Sequence, residues 1–365
     1  MTRGLHENPR QGTQCVFAIT EYTKRDLKNL LSDERFWIQP QLPITKRRVI
    51  SQVSNPRGDD KDMVLITAFN NGQLVAYLGI LPDLLRSDRQ APVKFGWLTT
   101  WWADKDRGGA AAALILFAAM KKYSNRIAIS NFSPDAKRVI DATRRFQEVA
   151  RFELSYFIMA SPPSWRVLSP LTKWLAAAKN RMIFSRKLQR CGLEVRTVDS
   201  SNKALESFIK TWAVEDPLAR DTLDLDWILQ FPWVSASAED EAIQERYEFS
   251  VFAKDFRQIP MVVSRYSTFI AFLFLTLSDG RLCLKHARYD PADIADVVAA
   301  LQIAIMEVNP WLFVSADTAL NIALKRNFPF YLATRSKTSV AYAAKAFPLS
   351  VGSRPQFGIG DTIFT

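Results

Sequence analysis

A run of small residues behind an arginine is the stretch of this sequence best suited to chemistry. The run comprises Arg107, Gly108, Gly109, Ala110, Ala111 and Ala112. If a helix begins near Gly108, its first N–H groups have no partner within the helix, and its dipole places partial positive charge there. Small side chains let a phosphate approach such amides closely. The run therefore predicts a phosphate-binding helix N-terminus, with Arg107 adding positive charge.

Two other interpretations of this run can be weighed from the sequence. The apolar stretch 109–120 has about half the ~20 residues that a helix needs to span a bilayer, and charged residues flank it on both sides. A membrane span is therefore disfavoured. A role in tight packing of a helix on a sheet stays open, because small residues also serve that purpose.

The elements around the run place it at the end of a central strand. Residues 63–81 comprise two predicted strands around a turn at Asn70, Asn71 and Gly72, which is a strong hairpin signal. The predicted elements that follow are a strand at 93–103, a helix at 107–122, a strand at 125–132, a helix at 133–146 with Ser133 as N-cap and Pro134 at its first position, and a strand at 152–160. The same order returns between residues 269 and 335, so duplication is predicted.

The run resembles the Arg/Gln-x-x-Gly/Ala-x-Gly/Ala pyrophosphate loop of the GNAT acyltransferase superfamily, with Arg107, Ala110 and Ala112 at the defining positions. The order of elements over residues 63–160 is similar as well. The resemblance implies that the loop amides cradle the pyrophosphate of acetyl-CoA or another acyl-CoA, while the pantetheine arm lies between two strands that splay apart. It implies these lining residues: Thr100, Trp101, Trp102 and Ala103 on one strand, and Ser130 and Asn131 on the other.

The expected architecture is α/β, with two GNAT-like mixed-sheet domains in tandem joined by a basic helical linker. The predicted boundaries are 1–160 for an acyl-CoA-binding domain, 161–200 for the linker and 201–365 for a degenerate second copy. Where the second copy would have its loop, the sequence carries Asp290, Asp293 and Asp296. These carboxylates would repel a pyrophosphate, so we predict that the second copy binds no CoA.

Acyl transfer to an amine needs a deprotonated amine, a polarised thioester carbonyl and a proton for the leaving thiolate. The resemblance implies a tyrosine as the proton donor, but Ile140 stands at the matching position. Tyr156 on the following strand is the substitute that we consider, and a structural role for it stays open. Asp104, near the loop, is a candidate base, although it could only supply charge at the helix N-terminus. His286 in the second half is a further candidate.

The composition of the chain limits the classes of partner and ligand that it could bind. The chain has 365 residues, a net charge of +11, three cysteines and two histidines. The dispersed cysteines and scarce histidines predict neither a disulfide framework nor a metal site. The positive charge predicts an anionic partner, and the basic segment 161–200 could contact an anionic substrate or a membrane surface. We expect a soluble cytoplasmic protein, with peripheral membrane association left open.

The leading functional hypothesis is an acyl-CoA-dependent N- or O-acyltransferase that acts on a polar small-molecule acceptor, such as an amino sugar or a cell-surface polysaccharide intermediate. An alternative within the same fold is a Fem-like transferase that uses aminoacyl-tRNA, because a basic surface also suits tRNA phosphates. A third hypothesis is a non-catalytic binding protein with a degenerate fold, which the isoleucine at the tyrosine position favours.

Overall fold

The computed structural model describes residues 17–87, 90–160, 192–198, 203–213, 216–327, 331–349 and 356–365. The strands are β1 (Ala18–Thr23), β2 (Met63–Asn70), β3 (Gln73–Ser87), β4 (Gln90–Ala103), β5 (Ile127–Ile129), β6 (Phe146–Ile158), β7 (Leu193–Thr197), β8 (Phe256–Arg265), β9 (Thr268–Ser278), β10 (Arg281–Tyr289), β11 (Leu312–Ser315) and β12 (Ala333–Ala344). The helices are α1 (Lys24–Leu30), α2 (Glu34–Trp37), α3 (Lys46–Val53), α4 (Gly109–Lys122), α5 (Pro134–Thr143), α6 (Lys203–Ala213), α7 (Thr222–Gln230), α8 (Ala238–Gln244), α9 (Ile294–Val308) and α10 (Thr318–Asn327). Two 3-10 turns, Pro291–Asp293 and Gly360–Phe364, complete the described elements.

The strands form one mixed sheet in the order β1-β2-β3-β4-β5-β12-β6-β11-β10-β9-β8-β7. β4 pairs in parallel with β5, and β10 pairs in parallel with β11. The last strand of the second half, β12, inserts between β5 and β6 of the first half, while β6 pairs with β11 of the second. Each half therefore donates its final strand to the other, and one continuous sheet crosses the predicted domain boundary.

Local sequence signals account for most of these elements. The hairpin between β2 and β3 turns at Asn71 and Gly72, both with positive φ, as a type I′ turn requires. Ser133 caps α5 and Pro134 occupies its first turn. The predicted repeat is confirmed as an order of elements, since a hairpin, strand, helix, strand, helix and strand occur in both halves.

The structure also differs from the sequence-based expectations at several boundaries. β6 begins at Phe146, six residues before the predicted strand, and β12 runs to Ala344 rather than ending at Arg335. These two strands pair along most of their length, so tertiary pairing extends them beyond their local apolar pattern. Residues 161–191 of the predicted linker lie outside the described residues, and Leu193–Thr197 forms β7. The α/β class with a mixed sheet is confirmed.

α4 covers one face of the first half and leaves the opposite face for the second half. Its buried residues pack with Leu78 and Ile80 of β3 and Leu98 of β4. Because strand side chains alternate, Tyr77, Phe95 and Trp97 point to the other face. That face carries α1–α3, α7 and the C-terminal turn Gly360–Phe364, and parts of both halves meet there.

A buried ionic cluster joins the halves on this shared face. The guanidinium of Arg57 bonds to both carboxylate oxygens of Asp224 and to Asp83, and Arg220 donates to Asp83 at 3.1 Å. The indole N–H of Trp97 donates to Asp83 at 2.8 Å. Burial alone would raise the pKa of Asp83, but the charges of Arg220 and Arg57 outweigh it and hold that pKa below its usual value. The cluster fixes how β3 sits against the segment 216–224.

Candidate functional site

The N-terminus of α4 presents three consecutive backbone amides. Gly108 is the N-cap, and no side-chain cap is formed there. The first helical bond runs from the Ala112 amide to the Gly108 carbonyl at 2.8 Å, so the amides of Gly109, Ala110 and Ala111 precede the helical ladder. The Ala112 amide is not available to a ligand, which corrects the expectation that all six residues of the run bind. The side chains of Ala111 and Ala112 pack into the core instead.

The two glycines of the run have different roles. A Cβ on Gly108 would lie 2.4 Å from the Val75 carbonyl oxygen and 2.5 Å from the Asp104 nitrogen, so the backbone itself requires glycine there. A Cβ on Gly109 would meet nothing within 4 Å. Gly108 therefore lets the loop pack against β3, whereas Gly109 faces the open space in front of the helix.

Asp104 organises the loop that precedes α4. Its carboxylate accepts from the amides of Asp106 and Arg107 at 3.0 and 2.9 Å and pairs with the Arg107 guanidinium at 3.0 Å. The hydrogen bond from Arg107 holds the pKa of Asp104 below its usual value. Arg107 also bonds to Gln73 of the hairpin turn and stays about half exposed. A carboxylate engaged in this way shapes the loop and is a poor proton acceptor.

β4 and β5 separate beside this helix end. They pair only at Gly96–Ile127 and Trp97–Ala128. β4 then continues to Ala103 along β3, while Ile129 pairs with Tyr342 of β12. A fork between strands is therefore present where the resemblance implied one. At its base the Ser130 hydroxyl is buried without a hydrogen-bond partner among the described residues, and Asn131 beyond it is exposed.

β4 carries a bulge at the level of the fork. Gly79 pairs with Thr99 and Tyr77 pairs with Trp102, so Thr100 and Trp101 together lie opposite one residue of β3. Thr100 has a φ of 28°, a conformation that costs energy for a threonine. The missing side chain at Gly79 makes room for the hydroxyls of Thr99 and Thr100, because a Cβ there would lie 2.5 Å from each. A bulge leaves backbone groups outside the ladder, which suits a ligand site.

The tryptophans after the bulge point to opposite faces. Trp101 packs partly against the α4 side, and its indole nitrogen is buried without a partner among the described residues. Trp102 stacks on Tyr77 at 5.3 Å on the shared face. Ala103 is half-buried and pairs with Ala76. Trp101 therefore lies on the α4 side of the sheet and Trp102 on the face that the two halves share.

Three residues that the sequence analysis did not identify lie close to one another, and one of them, Tyr247, reaches the bulge. Tyr247 is buried, which raises the pKa of its hydroxyl, and that hydroxyl faces Thr100. Arg48 of α3 lies over the rings of Trp233 and Tyr247 at 4.3 and 5.3 Å. Asp361 of the C-terminal turn lies within reach of the charges of Arg48 and Lys285. Nothing local in the sequence marks these residues, because distant segments bring them together.

A groove of about 870 Å³ opens next to this cluster. It lies between residues 39–41, the hairpin turn 69–74 and the segment 244–248 of the second half. Its polar lining includes Gln41, Gln73, Arg107, Gln244, Tyr247 and Glu248. Tyr247 is common to the groove and to the contact with Thr100.

Of the other two predicted catalytic residues, Tyr156 lies away from the fork, whereas His286 lines a small cavity together with Trp97 and Gly360. β5 and β12 separate β6 from β4, so Tyr156 is about 14 Å from β4 at ~4.8 Å per strand. Its hydroxyl is close to Arg281 and Cys283 of β10 instead. The expectation that Tyr156 protonates a thiolate at the fork is therefore wrong. His286 is buried, and burial together with Arg288 and Arg220 holds its pKa well below the usual value. It lines a cavity of about 10 Å³ beside the ionic cluster, which has room for about one water.

In the second half, side chains form hydrogen bonds and ion pairs at the N-terminus of the corresponding helix, α9. Asp290 caps the 3-10 turn before α9 by accepting from the Ala292 amide at 2.8 Å. Arg265 of β8 pairs with Asp293 at 2.8 Å and also bonds to Asp296. Three carboxylates and one arginine therefore lie at this helix end. That the second copy binds no CoA stays a prediction.

Within the described ranges, no group of three or more potential ligand side chains could hold a metal ion. In the same part of the chain, no helix has the length and apolar character needed to cross a membrane. The predicted basic contact surface falls mostly on 161–191, outside the described residues.

Solved structures resemble this chain in fold. No protein-family model and no curated protein matches the sequence. A GCN5-related N-acetyltransferase from Anabaena variabilis ATCC 29413 matches with a TM-score of 0.50 and 11% identity, over 90% of this chain and 72% of that one. N-myristoyltransferase of Saccharomyces cerevisiae with bound myristoyl-CoA matches with a TM-score of 0.50 and 11% identity, over 98% and 85% of the two chains. The chain therefore has a fold like that of GCN5-related N-acetyltransferases, as the resemblance of residues 107–112 had suggested.

Proposed function

We propose that this protein is an acyl-CoA-dependent acyltransferase whose N-terminal half binds the acyl-CoA. The observation that carries the proposal is the uncapped N-terminus of α4 beside the fork between β4 and β5. A bound acyl-CoA would supply a thioester as the activated acyl group. The amides of Gly109, Ala110 and Ala111 would hold its pyrophosphate, and Arg107 would add positive charge.

The residues around the fork fit such a ligand. The open space in front of Gly109 leaves room for a phosphate. The partnerless hydroxyl of Ser130 and indole nitrogen of Trp101 are polar groups that a ligand in the fork could satisfy. The bulge at Thr100 frees backbone groups near the point where a thioester would sit.

The acceptor would enter through the groove that contains Tyr247. The groove has the volume of a small-molecule site, and its amide and carboxylate lining suits a polar amine or hydroxyl compound. An amino sugar or a sugar intermediate of a cell-surface polysaccharide is a compound of this kind, and the indole of Trp102 would suit a sugar ring.

Calorimetry with acetyl-CoA tests the proposal. We expect the wild-type protein to bind acetyl-CoA and Gly109→Glu to lose that binding, because the new carboxylate would project into the phosphate space. Leu114→Glu adds the same charge farther along α4, at a side chain that is 45% exposed, and it should retain binding. Circular dichroism would establish that both variants fold.

The possible results separate the hypotheses. Absence of acetyl-CoA binding to the folded wild-type protein would refute the proposal. Salt-sensitive binding of tRNA in its place would favour an aminoacyl-tRNA-dependent transferase. Binding of neither would leave a non-catalytic protein with this fold. Equal acetyl-CoA binding by wild type and Gly109→Glu would show that the pyrophosphate does not bind at the N-terminus of α4.

A further inference from the structure

The C-terminal turn Gly360–Phe364 lies over the base of the fork. A Cβ on Gly360 would be 3.0 Å from both the Ser130 hydroxyl oxygen and the Trp97 ring, so the turn touches the last paired residue of β4 and the first residue after β5. Phe364 anchors the turn by stacking on Trp233 at 4.7 Å. Residues of this turn are therefore held in place beside the base of the fork.

Asp361 is the one carboxylate of this turn, and it is half-buried. No ion pair or side-chain hydrogen bond is formed by its carboxylate among the described residues, whereas Asp83 and Asp224 nearby are paired with arginines. The charged and titratable groups that face it are Arg48 of α3, Lys285 of β10 and Tyr247.

We propose that Asp361 is the general base that takes a proton from the acceptor's amine. The inference rests on the proposed acyltransferase function and adds the catalytic residue that sequence analysis placed elsewhere. Asp361 lies beside Tyr247, whose hydroxyl faces the bulge residue Thr100 and which lines the groove. Asp361 also follows Gly360, which touches Ser130 and Trp97 at the base of the fork, so an acceptor that reaches this point would meet the carboxylate.

The electrostatics of the site agree with this role. Burial raises the pKa of Asp361 to about 6, against the opposing charge of Arg48. At neutral pH the carboxylate is therefore ionised yet more basic than an exposed aspartate, as an effective general base should be. The positive charges of Arg48 and Lys285 disfavour an ammonium ion nearby. They consequently favour the neutral, nucleophilic form of the amine.

The proton balance of the transfer is simple. The acceptor ammonium gives one proton to Asp361, which passes it to solvent. The amine nitrogen forms a C–N bond to the thioester carbonyl, and the C–S bond breaks. The departing sulfur receives the second proton from the attacking nitrogen. The products are an amide, free CoA thiol and one proton in solution.

Hydrolysis of acetyl-CoA tests the base without knowledge of the natural acceptor, because water then takes the place of the amine. The rate of CoA thiol release would be measured between pH 4.5 and 9, alone and with ethanolamine as a primary-amine probe. We expect the wild-type rate to rise through about pH 6 and then level off. Asp361→Asn should lower the plateau roughly 100-fold or more and remove this rise. Its affinity for acetyl-CoA should stay within about twofold of wild type, because Asp361 is not part of the proposed pyrophosphate contacts.

Two further variants strengthen the experiment. Asp361→Glu keeps a carboxylate and should restore part of the rate together with the pH-dependent rise. Asp255→Asn removes a carboxylate that is half exposed and pairs with Arg257, and it should behave as wild type. A purely structural role for Asp361 would change the unfolding midpoint without altering the shape of the pH profile.

The outcomes distinguish this inference from the proposed function. If the wild-type protein fails to bind acetyl-CoA, both fail. If acetyl-CoA binds but wild type and Asp361→Asn release CoA thiol at equal rates, the acyl-CoA site stands and the assignment of Asp361 is overturned, whether the common rate is fast or uncatalysed.

Discussion

Removing the carboxylate of Asp83 should unfold this protein far more readily than a typical substitution. Asp83 is 1% exposed and accepts from Arg57, Arg220, the Trp97 indole and the Leu84 amide. In Asp83→Ala, Arg57 keeps its ion pair with Asp224, Arg220 loses the ion pair that it makes with Asp83, and the Trp97 indole loses its acceptor. Breaking a buried ion pair by removing one partner costs about 3–5 kcal/mol. We therefore expect a loss of this size in the free energy of unfolding.

Urea unfolding followed by tryptophan fluorescence would measure this loss. The double variant Asp83→Leu/Arg220→Met replaces a buried pair with apolar side chains, so it should be less destabilised than Asp83→Ala. Asp135→Ala breaks an exposed pair with Arg138, whose side chains are 77% and 79% exposed, and should change stability little. A loss below about 1 kcal/mol for Asp83→Ala, or a double variant that is less stable than Asp83→Ala, would refute the account of the cluster.

Three further predictions follow from local geometry. Gly108→Ala should destabilise the protein by about 1–3 kcal/mol, because its Cβ would press on the Val75 carbonyl. Gly109→Ala should be neutral or stabilising. Thermal unfolding would contradict this if Gly109→Ala were the less stable of the two variants. His286 is neutral in the fold and has a lowered pKa, so its contribution to stability is lost as pH falls below about 6.5. The unfolding midpoint of His286→Asn should accordingly vary less than that of wild type between pH 5 and 7, and parallel pH profiles would contradict this. Ser133→Ala removes the side-chain cap of α5 and should lower the free energy of unfolding, measured by chemical denaturation, by about 1 kcal/mol. An unchanged free energy of unfolding would show that another group or water satisfies the Ala136 amide.

The local features of the first half were predictable from its residues. The Asn71-Gly72 turn, the Ser133 cap and the small residues before α4 each act through neighbours a few positions away, so sequence spacing suffices to identify them. The repeated order of elements and the resemblance of residues 107–112 to a pyrophosphate loop follow from the same kind of short-range information. This is why the α/β class and the superfamily resemblance could be stated before the structure was considered.

The catalytic candidates were less predictable for a physical reason. Asp104 looked like a base because it lies near the loop in sequence, yet its carboxylate is engaged by Arg107 and by loop amides. Tyr156 looked close to the fork because it follows α5, yet β12 inserts between its strand and β5. A sequence pattern does not reveal which strand will be inserted between two others.

By itself the sequence determined the order of helices and strands and the place where an anion could meet uncapped amides. Those properties depend on backbone geometry and on residues within one or two turns. Only the tertiary structure decided that the halves exchange their last strands and that Arg48, Tyr247 and Asp361 lie close together, with the Tyr247 hydroxyl facing Thr100. Burial and charge at this cluster arise from contacts between segments that lie far apart in the chain, and those contacts exist only once the sheet has formed.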